Sequence, residues 1–134
     1  MRNAVVCFIS LLFLACSNNQ NNLTYFGGGI VTPKHKYVVL LQQDSIVDSI
    51  PFDKNGHFSY EFNLEKPDLF TFKHGYDPQI VYLEPHDSLR LRVNTLQFDE
   101  SLVYDGTSGV ENNFLIENYL LNKKNSELIL SYYK

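Results

Sequence analysis

The sequence predicts a mainly β protein, an antiparallel β-sandwich of about seven or eight strands followed by a C-terminal helix. Three observations predict it. Short apolar or alternating runs recur at roughly 8–12-residue spacing between residues 24 and 93. Pro, Gly, Asn and Asp separate those runs, as turns require. A helical period begins only after Asp105-Gly106.

Taken in order, residues 24–32 (Thr-Tyr-Phe-Gly-Gly-Gly-Ile-Val-Thr) read as a first strand. Its glycines mark either a bulge or a close approach of two backbones. Residues 37–43 are apolar and β-branched enough for a buried strand, and residues 45–52 follow after a short turn. Asp53-Lys-Asn-Gly56 is the clearest hairpin signal, because Asn-Gly accepts the positive φ of tight turns. Residues 57–62 then alternate, which sets Phe58, Tyr60 and Phe62 on one face, as a core or cross-strand ladder.

Residues 68–73 form the next strand, between Pro67 and Gly75. Residues 79–83 and 88–93 pair across Glu84-Pro-His-Asp87, with Leu89, Leu91 and Val93 inward and Arg90 and Arg92 outward. Ser108 and Glu111 stand at capping-box spacing, which predicts a helix over about 109–122. On it Val110, Phe114, Leu115, Asn118 and Leu121 share a face, with Asn112, Glu117 and Lys124 elsewhere. Residues 123–126 (Lys-Lys-Asn-Ser) separate that helix from an apolar ending at 128–134.

The first fifteen residues have a different physical character. Arg2 precedes an apolar run over 4–15 broken only by Ser10, and the run ends in Ala15-Cys16. Twelve apolar positions fall short of the roughly 20 needed to span a bilayer, and a basic start with a small-residue end describes a secretory signal. Leu14-Ala15-Cys16 resembles the lipobox of bacterial lipoproteins, although Phe13 stands where Leu is usual. The resemblance implies cleavage before Cys16 and lipidation of its thiol, palmitate-type chains included. Ordinary secretion, with Cys16 left as a stray thiol, is the alternative. The organisation expected is a lipoprotein signal peptide over 1–15, a flexible tether over 16–23, the sandwich over 24–107 and a helical segment over 108–134.

Composition narrows the function classes. The chain is 44% hydrophobic and 14% aromatic, which is globular and not disordered. Without the leader, 119 residues hold ten Lys/Arg against fifteen Asp/Glu. That balance disfavours nucleic acid, which needs a basic patch for counterion release. Cys7 would leave with the leader and Cys16 would carry lipid, so the mature domain would contain no dithiol.

Several stretches together resemble a known family. Gly29-Ile-Val, residues 48–58 (Asp-Ser-Ile-Pro-Phe-Asp-Lys-Asn-Gly-His-Phe), residues 82–91 and residues 104–115 are similar in order and spacing to the N-terminal β-sandwich domain of TlpA/ResA-like thioredoxin lipoproteins, a domain of unknown function. The likeness covers about 24–122 and implies a Gram-negative envelope protein at the outer membrane or its periplasmic face. Two departures stand out. The usual Pro-Gly-Asp-Ser turn is Pro85-His86-Asp87-Ser88, so His86 takes a type I turn or a left-handed conformation. Family members also continue into a thioredoxin domain with Cys-x-x-Cys, and no residue here matches that motif.

The remaining constellations point to structure. His86-Asp87-Ser88 are adjacent, whereas a triad converges from separated positions. His35, His57, His74 and His86 lack metal-ligand spacing, so no metal and no cofactor is expected. Asp53-Lys-Asn-Gly56 departs from a calcium loop in glycine position and distal acid. Ser45, Ser49 and Ser88 each follow Asp and precede an apolar residue, a pattern resembling periplasmic O-glycosylation acceptors.

The expected function is a non-catalytic, lipid-anchored envelope domain, held to the membrane through Cys16 and acting as spacer, scaffold or binding module. A thiol–disulfide oxidoreductase lacking its thioredoxin domain is one alternative. A glycan- or peptide-binding lipoprotein using Tyr25, Tyr76 or Tyr104 is another.

Overall fold

The computed structural model describes residues 22–133. The leader, Cys16 and most of the tether lie outside the described residues. The strands are β1 (Thr24–Val31), β2 (Tyr37–Gln42), β3 (Ser45–Pro51), β4 (His57–Phe62), β5 (Asp68–His74), β6 (Asp77–Leu83), β7 (Ser88–Asn94) and β8 (Val103–Gly106). A 3-10 turn (Thr95–Gln97) and a short helix α1 (Phe98–Ser101) precede β8, and α2 (Gly109–Tyr132) follows it.

The strands form two four-stranded sheets, ordered β4-β1-β7-β8 and β3-β2-β5-β6. Every strand pair is antiparallel except β1 with β7, which run parallel. Period-two alternation places one side of each strand between the sheets. Phe26, Leu89, Leu91 and Val93 come from one sheet, and Val38, Leu40, Phe72, Val81 and Leu83 from the other. Phe26 bridges the layers, 5.4 Å from Phe58 and 6.0 Å from Phe72 between ring centroids. Edge-to-face aromatic contacts of this kind add to the area they bury.

Four local expectations change. Asp53-Lys-Asn-Gly56 makes its turn, with Asp53 Oδ1 accepting the N–H groups of Asn55 (2.8 Å) and His57 (2.9 Å) and Gly56 at φ 78°. It is not a hairpin. β3 pairs with β2 and β4 with β1, so the turn carries the chain from one sheet to the other. The glycines of β1 form no bulge, since its register stays continuous with both neighbours. They allow close approach, because a Cβ on Gly28 would stand 2.1 Å from the Leu91 carbonyl oxygen. The register shift lies instead in the β2–β3 pair, at Leu40/Leu41.

The helix is also different from expectation. It continues through 123–126 to Tyr132, since that segment contains neither Gly nor Pro, and Ser126 Oγ donates back to the Asn122 carbonyl (2.9 Å). Its inward side carries Gly109, Asn112 and Ile116, while Val110 is 80% and Phe114 63% exposed. The capping box is not formed, because Ser108 Oγ donates to the Asp87 carboxylate.

Asn112 is buried because its amide substitutes for a strand. Its Oδ1 accepts the Tyr82 N–H (2.7 Å), and its Nδ2 donates to the Tyr82 carbonyl (2.8 Å) and to the Ser108 carbonyl (2.8 Å). Asn113 does the same for β8, accepting from the Tyr104 N–H (2.8 Å) and donating to its carbonyl (2.9 Å). Since β6 and β8 are edge strands of different sheets, two consecutive helical residues satisfy one edge each.

His74 is 1% exposed, and both of its ring nitrogens are engaged. Nε2 lies 3.0 Å from the Lys34 N–H and accepts it, which leaves Nδ1–H to donate to the Tyr37 carbonyl (3.2 Å). That arrangement needs a neutral ring. Burial is the main cause lowering its pKa from the ordinary 6.5, and His35 adds to the shift. The unfolded chain therefore binds a proton where the folded one does not, and stability falls as pH drops below about 6.5. The loss levels off once the folded imidazole itself titrates. Urea unfolding midpoints should decline between about pH 7 and pH 5, and a flat profile would contradict a neutral, buried His74.

Candidate functional site

The two ends of the sandwich have different tasks. At one end Thr24 Oγ1 donates to the Glu84 carbonyl (3.0 Å) and accepts the His86 N–H (3.1 Å). The buried Asp87 carboxylate gathers three donors there: the Glu84 N–H (2.8 Å), Thr107 Oγ1 (2.7 Å) and Ser108 Oγ. The entering chain, the 84–87 turn and the start of α2 are thereby tied at one place. His86 takes the left-handed option, at φ 67°. Among the described residues no bond joins His86 or Ser88 side chains to Asp87, so the three neighbours do not form a relay.

At the other end α2 leaves the body. Lys123 Nζ reaches Asp99 (3.1 Å) and Glu100 (3.4 Å), both just past the finish of β7. Residues 121–133 are all exposed. A 24-residue helix is about 36 Å long, so roughly its second half projects beyond the sheets. Among the described residues no helix is long and apolar enough to cross a membrane.

The other sequence-predicted residues are dispersed. Cys16 lies outside the described residues. Ser45 and Ser49 are exposed on the edge strand β3, with Asp48 Oδ1 accepting the Ser49 N–H (2.7 Å). Ser88 is half-buried beside the buried Asp87. The tyrosines do not assemble. Tyr104 is buried, which pushes its phenol pKa up, and only Tyr76, 97% exposed, stands free. Burial of Tyr104 removes it from any glycan- or peptide-binding face. His35 and His74 approach to 5.5 Å between centroids, which their spacing did not indicate, but the His74 nitrogens are committed to backbone. No group of three His, Cys, Asp or Glu side chains is placed to hold a metal among the described residues.

A groove of about 680 Å3 opens on the outer face of the first sheet. Backbone of residues 28–30 forms its floor, and Arg90, Arg92, Lys54 and His57 line it. Register places Gly29 between His57 and Arg92, and Gly27 between Ser59 and Arg90. The His57 ring lies across Gly29, with Cδ2 3.1 Å from where a Cβ would stand, and the Tyr25 phenol lies likewise across Gly27. The Arg90 guanidinium sits 5.5 Å from the centroid of the Tyr25 ring, a cation–π arrangement. Outward alternation of Arg90 and Arg92 was readable in the sequence, but the groove was not, since its floor and far wall come from distant strands.

No family model, curated protein or solved structure matches this chain. The likeness to TlpA/ResA-like lipoprotein domains therefore rests on the quoted sequence stretches.

Proposed function

We propose that this protein is a non-catalytic, lipid-anchored lipoprotein of the cell envelope, whose sandwich is a spacer and scaffold between a membrane tether and a projecting helix. One observation carries the spacer reading: the chain enters the sandwich at the Thr24 end, and α2 extends past the opposite end. The lipobox-like Leu14-Ala15-Cys16 supports the anchor. Several acyl chains on Cys16 would give stable attachment, which a single chain does not. Ser45 and Ser49, exposed on β3, are the accessible candidates for O-glycosylation; Ser88 is the less accessible one.

Mass spectrometry of the membrane fraction should find residues 16–134 carrying an acyl-glyceryl mass. Cys16→Ala should move the protein from the membrane to the soluble fraction. A mature wild-type protein that is soluble and unmodified would overturn the anchor.

A further inference from the structure

We infer that the groove on the outer face of the first sheet binds the phosphate group of a soluble phosphorylated ligand. Apart from Arg2, the chain contains two arginines, Arg90 and Arg92, and both line this groove. Solubility alone does not call for that placement, since the chain's other basic side chains are lysines. A guanidinium presents a planar fork of donors that matches two oxygens of a phosphate, and a lysine presents a point charge. Arg90 and Arg92 project from alternate positions of one strand, so both stand on the same face.

The charge here is uncompensated. Among the described residues, ion pairs join His57 with Asp53 (3.8 Å) and Lys123 with Asp99 and Glu100, and none reaches Arg90, Arg92 or Lys54. Asp105, across from Arg90 on β8, is the nearest acid in register, and Glu61 lies farther along β4. Three fixed cations therefore face a concave floor in a chain whose formal net charge is −4. The floor itself favours a ligand. With glycine at 29, the side chain that closes over the backbone is the His57 imidazole, a polar group at the rim, where a Cβ would have filled the space. A multiply charged oxyanion answers this set of cations better than a monovalent carboxylate does.

A soluble source is favoured over a lipid headgroup by position. Gly29 lies five residues along β1 from Thr24, roughly 16 Å from the end where the tether enters. That choice of source rests on the tether reading, whereas phosphate binding does not.

The test is an amide-resolved NMR titration of the full chain in detergent with inorganic pyrophosphate. Saturable shifts should concentrate at residues 28–31, 54–57 and 90–92. The double variant Arg90→Gln/Arg92→Gln should bind at least about tenfold more weakly, with unchanged thermal unfolding, because both side chains point to solvent. Lys124→Gln, on the projecting helix, should bind as wild type does. Absence of saturation, shifts spread over the whole surface, or equal weakening by Lys124→Gln would each overturn the site. Phosphatidylglycerol vesicles form a separate arm. Perturbation of the groove by vesicles but not by pyrophosphate would overturn the soluble source, and loss of the Cys16 anchor would leave the pyrophosphate result standing.

Discussion

Asn112→Ala should lower stability by about 2–4 kcal/mol, because it strands the Tyr82 N–H and carbonyl and leaves a void under the helix. A buried polar group that loses its partner costs roughly 1–3 kcal/mol. Water cannot replace the amide without prising α2 from the sheets, since Asn112 is completely buried. Urea unfolding should show a lower midpoint with little change in slope. Asn112→Asp is informative beside it. The carboxylate keeps the acceptor for the Tyr82 N–H but faces the Tyr82 and Ser108 carbonyls with no donor, so it should destabilise too. Asn113→Ala, at a half-buried position, should cost less, about 1 kcal/mol. An Asn112→Ala protein with the wild-type midpoint would remove the amide from its role in closing the β6 edge.

Gly106→Ala and Gly28→Ala carry the second large effect. At Gly106 a Cβ would stand within bonding distance of the Ser88 carbonyl oxygen, and the backbone is at φ 113°. At Gly28 the obstacle is the Leu91 carbonyl oxygen, 2.1 Å away, with φ at 152°. In both cases the neighbour is backbone within a ladder and cannot rotate aside. Overpacking and an unfavourable φ together predict a loss of about 3 kcal/mol or more at each position. Gly29→Ala provides the contrast. Its would-be Cβ meets only the His57 ring at 3.1 Å, on a side chain free to swing outward, so the cost should be within about 1 kcal/mol. Equal stability for all three variants would refute the close-approach account of β1 and β8.

How much of this was readable in the sequence depends on the range of the interactions involved. β4 is expected and observed over the same residues, and β1, β2, β5 and β7 within a residue or two, because alternation and turn residues are local signals. The inward set Leu89, Leu91 and Val93 follows from the same period. Long-range pairing is invisible to such signals. Asp53-Lys-Asn-Gly56 announces a turn, but whether its flanking strands share a sheet is decided by β1 and β2. β8 is four residues long, too short to show a period, and α1 is no longer. Asn112 looks like a solvent position on propensity and hydropathy, and only the waiting Tyr82 backbone explains its burial. For the site, the glycines and alternating arginines were each legible. Their convergence with His57 and Lys54 depends on β4 lying beside β1, which no local pattern states.

The paired asparagines give the sandwich a handed periphery. On the α2 flank, β6 and β8 already have their exposed peptide groups at Tyr82 and Tyr104 occupied, and the Tyr104 ring is buried there with its hydroxyl 3.5 Å from the Ile80 carbonyl. On the opposite flank β3 and β4 each have one strand neighbour and no helix against them. An extended segment from another molecule is thus offered a docking edge on that flank alone. There Pro51 lacks an N–H and Asp48 places a charge on the β3 margin, two features that discourage strand-to-strand growth. Association by β-augmentation, wanted or unwanted, is confined to one side of this molecule.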